Sequence, residues 1–138
     1  VPIVNVHLVD GAHTPDQHER LLGELSAVYA ELLEAPVDRI RAFITLHPSP
    51  LWATGGVAAS RDHRSAPFFT ALVLEGRPVE QRHRLLERFT DVIVDVLGVD
   101  RDLVRGLIQT IPPDDWGIGG VPASVKRGAE IEARASTG

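Results

Sequence analysis

One pattern occurs twice along this 138-residue chain, and that repeat limits the fold more than any other feature. The first copy opens Pro2-Ile3-Val4-Asn5-Val6-His7-Leu8-Val9-Asp10-Gly11, and the second opens Pro67-Phe68-Phe69-Thr70-Ala71-Leu72-Val73-Leu74-Glu75-Gly76. Each is a proline, an apolar-rich run, an acid and a glycine. Further on, Arg41 matches Arg105, Trp52 matches Trp116, Gly55-Gly56 matches Gly119-Gly120, and Ala59-Ser60 matches Ala123-Ser124, all 64 residues apart. Gly11 and Gly76 are 65 apart, so one residue is lost just after them. A one-residue change in a surface loop costs little. So many matches in order are read as an internal duplication.

Each copy reads as β-α-β followed by a short hairpin. Residues 3–9 and 68–74 are short apolar-rich runs bounded by turn residues, as buried strands are. Thr14 and Pro15 mark a helix start. Leu21, Leu22, Leu25, Val28, Tyr29, Leu32 and Leu33 then recur at helical spacing. Leu85, Leu86, Phe89, Val92, Ile93, Val96 and Leu97 repeat the stripe, and Gly98 falls where a capping glycine belongs. Strands follow at 40–46 and 103–111, and tight turns at 52–56 and 116–120. Right-handed crossovers make each copy a parallel pair. The expected fold is therefore α/β (α+β): tandem β-α-β units in a four-stranded mixed sheet, with two helices on one face. The other face needs a second subunit to cover it. The chain is expected to be a single domain of two units, 2–60 and 67–124. Residues 61–66 form a polar linker, and 125–138 a partly ordered C-terminal arm.

Composition narrows the partners. No cysteine is present, so disulfides and thiolate metal sites are excluded. A net charge of −5 argues against nucleic acid, and no apolar run approaches the ~20 residues of a membrane helix. No leader is evident in the sequence as read, and a cytoplasmic location is expected. His7, His13, His18, His47, His63 and His83 show no ligand spacing, so neither a metal nor another cofactor is expected.

With these residues in view, the chain resembles the 4-oxalocrotonate tautomerase family, in its fused, double-length form. The resemblance rests on the opening Pro-Ile-Val-Asn-Val-His-Leu-Val-Asp-Gly, on Glu75-Gly76-Arg77 with Glu80-Gln81, on the strand arginine, and on Trp116-Gly117-Ile118-Gly119-Gly120. It implies a tautomerase/MIF-like fold, a homotrimer, and proton transfer on a small carboxylate substrate by an amino-terminal proline. That proline is Pro2. A free secondary amine accepts a proton, and desolvation and nearby cations lower its pKa towards neutrality. Pro67 lies inside the chain as an amide and cannot act so. Val1 precedes Pro2 in the sequence as written. It is expected to be the literal reading of an alternative start codon, removed in the cell to expose Pro2.

The resemblance further implies that Arg77, which the first unit replaces with Ala12 or His13, serves Pro2. The strand arginine, Arg41 or Arg105, holds the substrate carboxylate, for which a planar guanidinium is suited. Trp116 lines the pocket. Ile118 stands where hydratase and cis-3-chloroacrylic acid dehalogenase relatives carry a water-activating glutamate. That difference and the strand arginine favour ketonisation of a 2-hydroxydienoate-type enol over hydration or dehalogenation. Asp38 resembles the aspartate of the malonate semialdehyde decarboxylase branch and keeps that lyase reading as an alternative. A non-catalytic trimeric binding protein is the expectation if Val1 is retained.

Overall fold

The computed structural model describes residues 1–137, with side chains described to Arg134. The first unit runs β1 (Ile3–Val9), α1 (Pro15–Leu33) and β2 (Arg41–His47), then the short strands β3 (Ala53–Thr54) and β4 (Val57–Ala58) and the short helix α2 (Ala59–Asp62). The second runs β5 (Phe68–Leu74), α3 (Val79–Leu97), β6 (Arg105–Ile111), β7 (Gly117–Ile118), β8 (Val121–Pro122) and α4 (Ala123–Lys126). A further helix, α5, spans Gly128–Thr137.

The sheet order is β2-β1-β5-β6. The outer pairs β1/β2 and β5/β6 are parallel, as crossover helices require, and the central pair β1/β5 is antiparallel. Strand alternation decides which side is core. Val4, Val6 and Leu8 of β1 and Phe69, Ala71 and Val73 of β5 are buried beneath the helices. Ile3, Asn5, His7, Phe68, Thr70 and Leu72 point to the opposite face and are only half-buried. On that face Phe43 and Leu107 stand exposed. Both helices lie on the first face, and each contributes its apolar stripe. Leu21, Leu25, Val28, Tyr29, Leu32 and Leu33 are buried from α1, and Leu85, Phe89, Val92, Ile93, Val96 and Leu97 from α3. Leu22 and Leu86 lie at the margins of these stripes, half-buried.

Local signals fix the ends of these helices. Thr14 and Gln17 form a capping box at the start of α1, satisfying backbone donors the helix leaves open. Gly98 closes α3 with φ +66, a conformation that suits glycine. The central seam is tied by Tyr29, whose hydroxyl donates to the carbonyl of Leu72 on β5 and lies 3.5 Å from that of Ile3 on β1. Burial pushes this hydroxyl's pKa upward, so it stays a neutral donor.

Local boundaries differ from the sequence reading, the strand expected at 40–46 running Arg41–His47 among them. The linker at 61–66 is entered by the end of α2, because residues 59–62 complete one helical turn. The last strand starts at Arg105, since Arg101–Leu103 form a 3-10 turn capped by the Asp100 side chain. The arm expected at 125–138 is helical through α4 and α5, although Gly138 falls outside the described residues. Alanine and glutamate give it high helix propensity. Among the described residues no helix is long and apolar enough to cross a membrane.

Candidate active site

The carboxyl ends of α1 and β5, the first residues of β1, and α5 converge at one end of the sheet. Pro2 is buried there, one residue before β1. Its carbonyl accepts from the Arg41 amide at 3.1 Å, the contact that starts the β1/β2 ladder. The same bond in the second unit runs from the Arg105 amide to the Pro67 carbonyl at 3.0 Å. The two prolines therefore occupy equivalent backbone positions, with Val1 preceding the first and Ala66 the second.

A small cavity of about 40 Å³ lies beside Pro2, with Leu33, Arg77, Trp116, Ile118 and Arg127 in its wall. Arg77 arrives from the turn after β5, where Gly76 adopts φ +102 before α3 begins. Its Nη1 donates to the Leu33 carbonyl at 3.2 Å, using a carbonyl the end of α1 leaves open. Gln81 donates to the neighbouring Leu32 carbonyl at 2.8 Å. Burial first, then the charge of Arg134, disfavours the Arg77 cation, which nonetheless stays charged in a protein. A guanidinium already short of water gains more from an anionic ligand than an exposed one does. In the first unit the matching position is His13, whose Nε2 meets Ser65 Oγ at 2.8 Å. A linker residue is thus tied where the other half keeps a cation beside its cavity.

Trp116 and Ile118 come from the start of the β7/β8 hairpin. Its turn is made by Gly119 and Gly120 at φ +58 and +84, which other residues adopt poorly. A second hollow of about 470 Å³ adjoins the first and is shared through Val1, Arg39, Trp116, Ile118 and Arg127. Arg41 and Asp38 line it. Arg41 Nη1 donates to the carbonyls of Asp38 at 3.0 Å and Ile40 at 3.3 Å. Asp38 thus contributes its carbonyl to this contact, and its residue lines the adjoining hollow rather than the proline cavity itself.

The sequence-derived residues accordingly divide. Pro2, Arg77, Trp116 and Ile118 meet at one cavity, with Arg41 and Asp38 in the next. Arg105 sits at the edge of the sheet beyond β5, beside Pro67, where Nη1 reaches the Val104 carbonyl at 3.1 Å. Within one chain Arg41 is the strand arginine nearer Pro2. Arg39, Arg127, Glu130 and Arg134 also line the cavity and escaped the sequence reading. Arg39 had been visible only as the neighbour of Asp38, and the other three belong to the stretch read as an arm.

The electrostatics of this corner favour a neutral amine. An amino group on Val1 has its pKa lowered to about 5, by burial first and then by Arg41 and Arg127. It is therefore unprotonated at neutral pH. Elsewhere, His7 Nδ1 lies 2.8 Å from His47 Nε2 at the opposite end of β1, remote from this chemistry.

The chain spans nearly the full length of known tautomerases. The model of a family described as tautomerase enzymes matches residues 67–126. A probable tautomerase of Ralstonia nicotianae is 33% identical over 69 residues, which is 50% of this chain and 99% of the relative. The 2-hydroxymuconate tautomerase of Comamonas testosteroni is 39% identical over 57 residues, 41% of this chain and 90% of the relative. A wild-type fused 4-OT solved as a symmetric trimer superposes with a TM-score of 0.82 at 26% identity, covering 91% of this chain and 98% of that one. The chain belongs to the tautomerase family. Two such units in one polypeptide place it with the fused, double-length members.

Proposed function

We propose that this chain is an isomerase that ketonises a small 2-hydroxydienoate-type acid, with Pro2 as its mature amino terminus and general base. One observation carries the reading. Pro2 is buried against a cavity walled by Arg77, Arg127 and Trp116, and the amine of the neighbouring Val1 has its pKa lowered to about 5 by burial and by Arg41 and Arg127. A neutral amine beside guanidinium groups is suited to taking a proton from an anionic substrate.

In the proposed reaction Arg77 and a strand arginine hold the substrate carboxylate. The Pro2 nitrogen takes the proton of the enol hydroxyl, electrons move along the diene, and the same proton returns to carbon. The product is the conjugated ketone. Trp116 and Ile118 keep the site dry, which strengthens every charge interaction in it. The working form is a homotrimer, in which the open sheet face bearing Phe43 and Leu107 is covered by neighbouring copies. The solved fused relative, itself a symmetric trimer, supports that assembly.

The test is ketonisation of 2-hydroxymuconate and phenylenolpyruvate, followed by absorbance. Turnover is expected, and Pro2→Ala should lower kcat/KM by about 10²- to 10⁴-fold, the usual contribution of a positioned base. Equal rates for wild type and Pro2→Ala would refute the mechanism.

A further inference from the structure

Helix α5 lines the Pro2 cavity through Glu130 and Arg134 and brings few large apolar side chains to it. Ile131 is its only large aliphatic residue between Gly128 and Arg134. Hollows lie on both flanks. One, of about 640 Å³, is lined by Arg39, Arg77, Gln81 and Glu130. The other, of about 350 Å³, is lined by Glu75, Pro112, Ser124 and Ile131.

A forked ion pair fixes the helix across this gap. Arg39 Nη1 donates to Glu130 Oε2 at 3.0 Å, and Nη2 donates to Oε1 at 3.2 Å. This is the two-point geometry in which arginine binds any carboxylate, including a ligand's. The pairing draws the Glu130 carboxyl below its ordinary pKa.

Position gives the pair its meaning. Arg39 lines the proline cavity, the Arg41 hollow and the outer hollow alike. Glu130 lines the first and the last, so the pair stands on the boundary between them. The inner cavity of about 40 Å³ holds roughly three waters. Among the described residues Glu130 is also the only carboxylate in a wall that carries Arg39, Arg77, Arg127 and Arg134.

We propose that Glu130 is a specificity-determining residue, an internal carboxylate that latches α5 over the site and yields its place on Arg39 to the second carboxylate of a dicarboxylate ligand. The inference rests on the reading that this site takes carboxylates. A ligand with one carboxylate uses Arg77 and leaves the latch unchallenged. A ligand with two competes directly with Glu130.

The probes are muconate and sorbate, six-carbon dienes that differ by one carboxylate and lack the hydroxyl needed for turnover. Calorimetric binding to the full chain is compared for wild type and Glu130→Gln. Muconate should bind the variant about two- to five-fold more tightly, the usual reach of a partly exposed ion pair. Sorbate affinity should stay within about 1.5-fold on the same grounds. Without ligand, amides 129–134 should exchange hydrogen faster in Glu130→Gln, and the swap Arg39→Glu with Glu130→Arg should restore protection. Equal effects on both probes, no muconate binding, or unchanged exchange would overturn the proposal. Neither probe reacts, so a chain that binds muconate yet turns over no enol would defeat the proposed function and leave this inference standing.

Discussion

Gly106 on β6 lies beneath the ring of Phe69, and replacing it with alanine is the sharpest structural test of how the second unit packs. An ideal Cβ there falls 2.1, 2.4 and 2.6 Å from Phe69 Cζ, Cε1 and Cε2. Carbon atoms prefer about 3.5–4.0 Å, so the ring must retreat by more than about 1 Å. It has little room to do so. Phe69 is fully buried and meets Phe89 edge-on at 5.6 Å, and Phe89 meets Tyr29 in the same way at 5.0 Å. Overpacking of this kind costs about 1–3 kcal/mol, and a rigid aromatic chain puts Gly106→Ala near the upper end. For a chain of this length that lowers Tm by about 6–12 °C.

The other unit supplies the control. Val4 pairs with Ala42 where Phe69 pairs with Gly106, so the same layer is filled by medium-with-small in one half and large-with-nothing in the other. Phe69→Val alone leaves a void costing about 2–4 kcal/mol. In that background Gly106→Ala should cost almost nothing, a coupling of about 2 kcal/mol between the two sites. Urea unfolding followed by circular dichroism, at one fixed protein concentration because self-association shifts the midpoint, measures both. A cost for Gly106→Ala below about 0.5 kcal/mol, or the same cost in both backgrounds, would refute the packing argument.

Two further predictions concern the site. Arg77→Gln should leave the fold intact, because Gln81 still caps the end of α1 through the Leu32 carbonyl. It should lower kcat/KM by roughly 10- to 100-fold, the loss of one charge-assisted pair, as steady-state kinetics on 2-hydroxymuconate would show. The Glu130 latch should also answer to acid. Its carboxyl pKa is depressed in the fold, from an ordinary 4.5, by hydrogen bonding to Arg39. The latch is therefore complete above the ordinary value and is lost as pH falls through the depressed one. Amides 129–134, normalised for intrinsic rates, should be evenly protected from pH 5 to 7 and lose protection only below about pH 4.5. Loss of protection on going from pH 7 to 5 would contradict the assignment.

The strands and long helices were legible because each carries its own periodicity. The β1 alternation and the α1 and α3 stripes say which side is buried, and Thr14 and Gly98 say where helices start and stop. The repeat also exposes its own asymmetry, with Arg77 in the second unit where the first has Ala12 or His13, and the family resemblance is what ties Arg77 to Pro2. What stayed hidden has a physical reason. Arg41 and Arg105 are equivalent in sequence, and only the antiparallel β1/β5 seam separates their ends of the sheet. Helix α5 has no apolar stripe to announce it. Its ion pair with Arg39 joins residues 91 apart, a contact that no local pattern encodes.

The central claim concerns the Pro2 nitrogen, and the most direct measurement is the amino-terminal mass of the natively made protein in a preparation whose ketonisation rate is known. A chain that begins at Pro2 and turns over the enol is the predicted result. An equally active chain whose Pro2 nitrogen is still joined to a preceding residue would contradict the account.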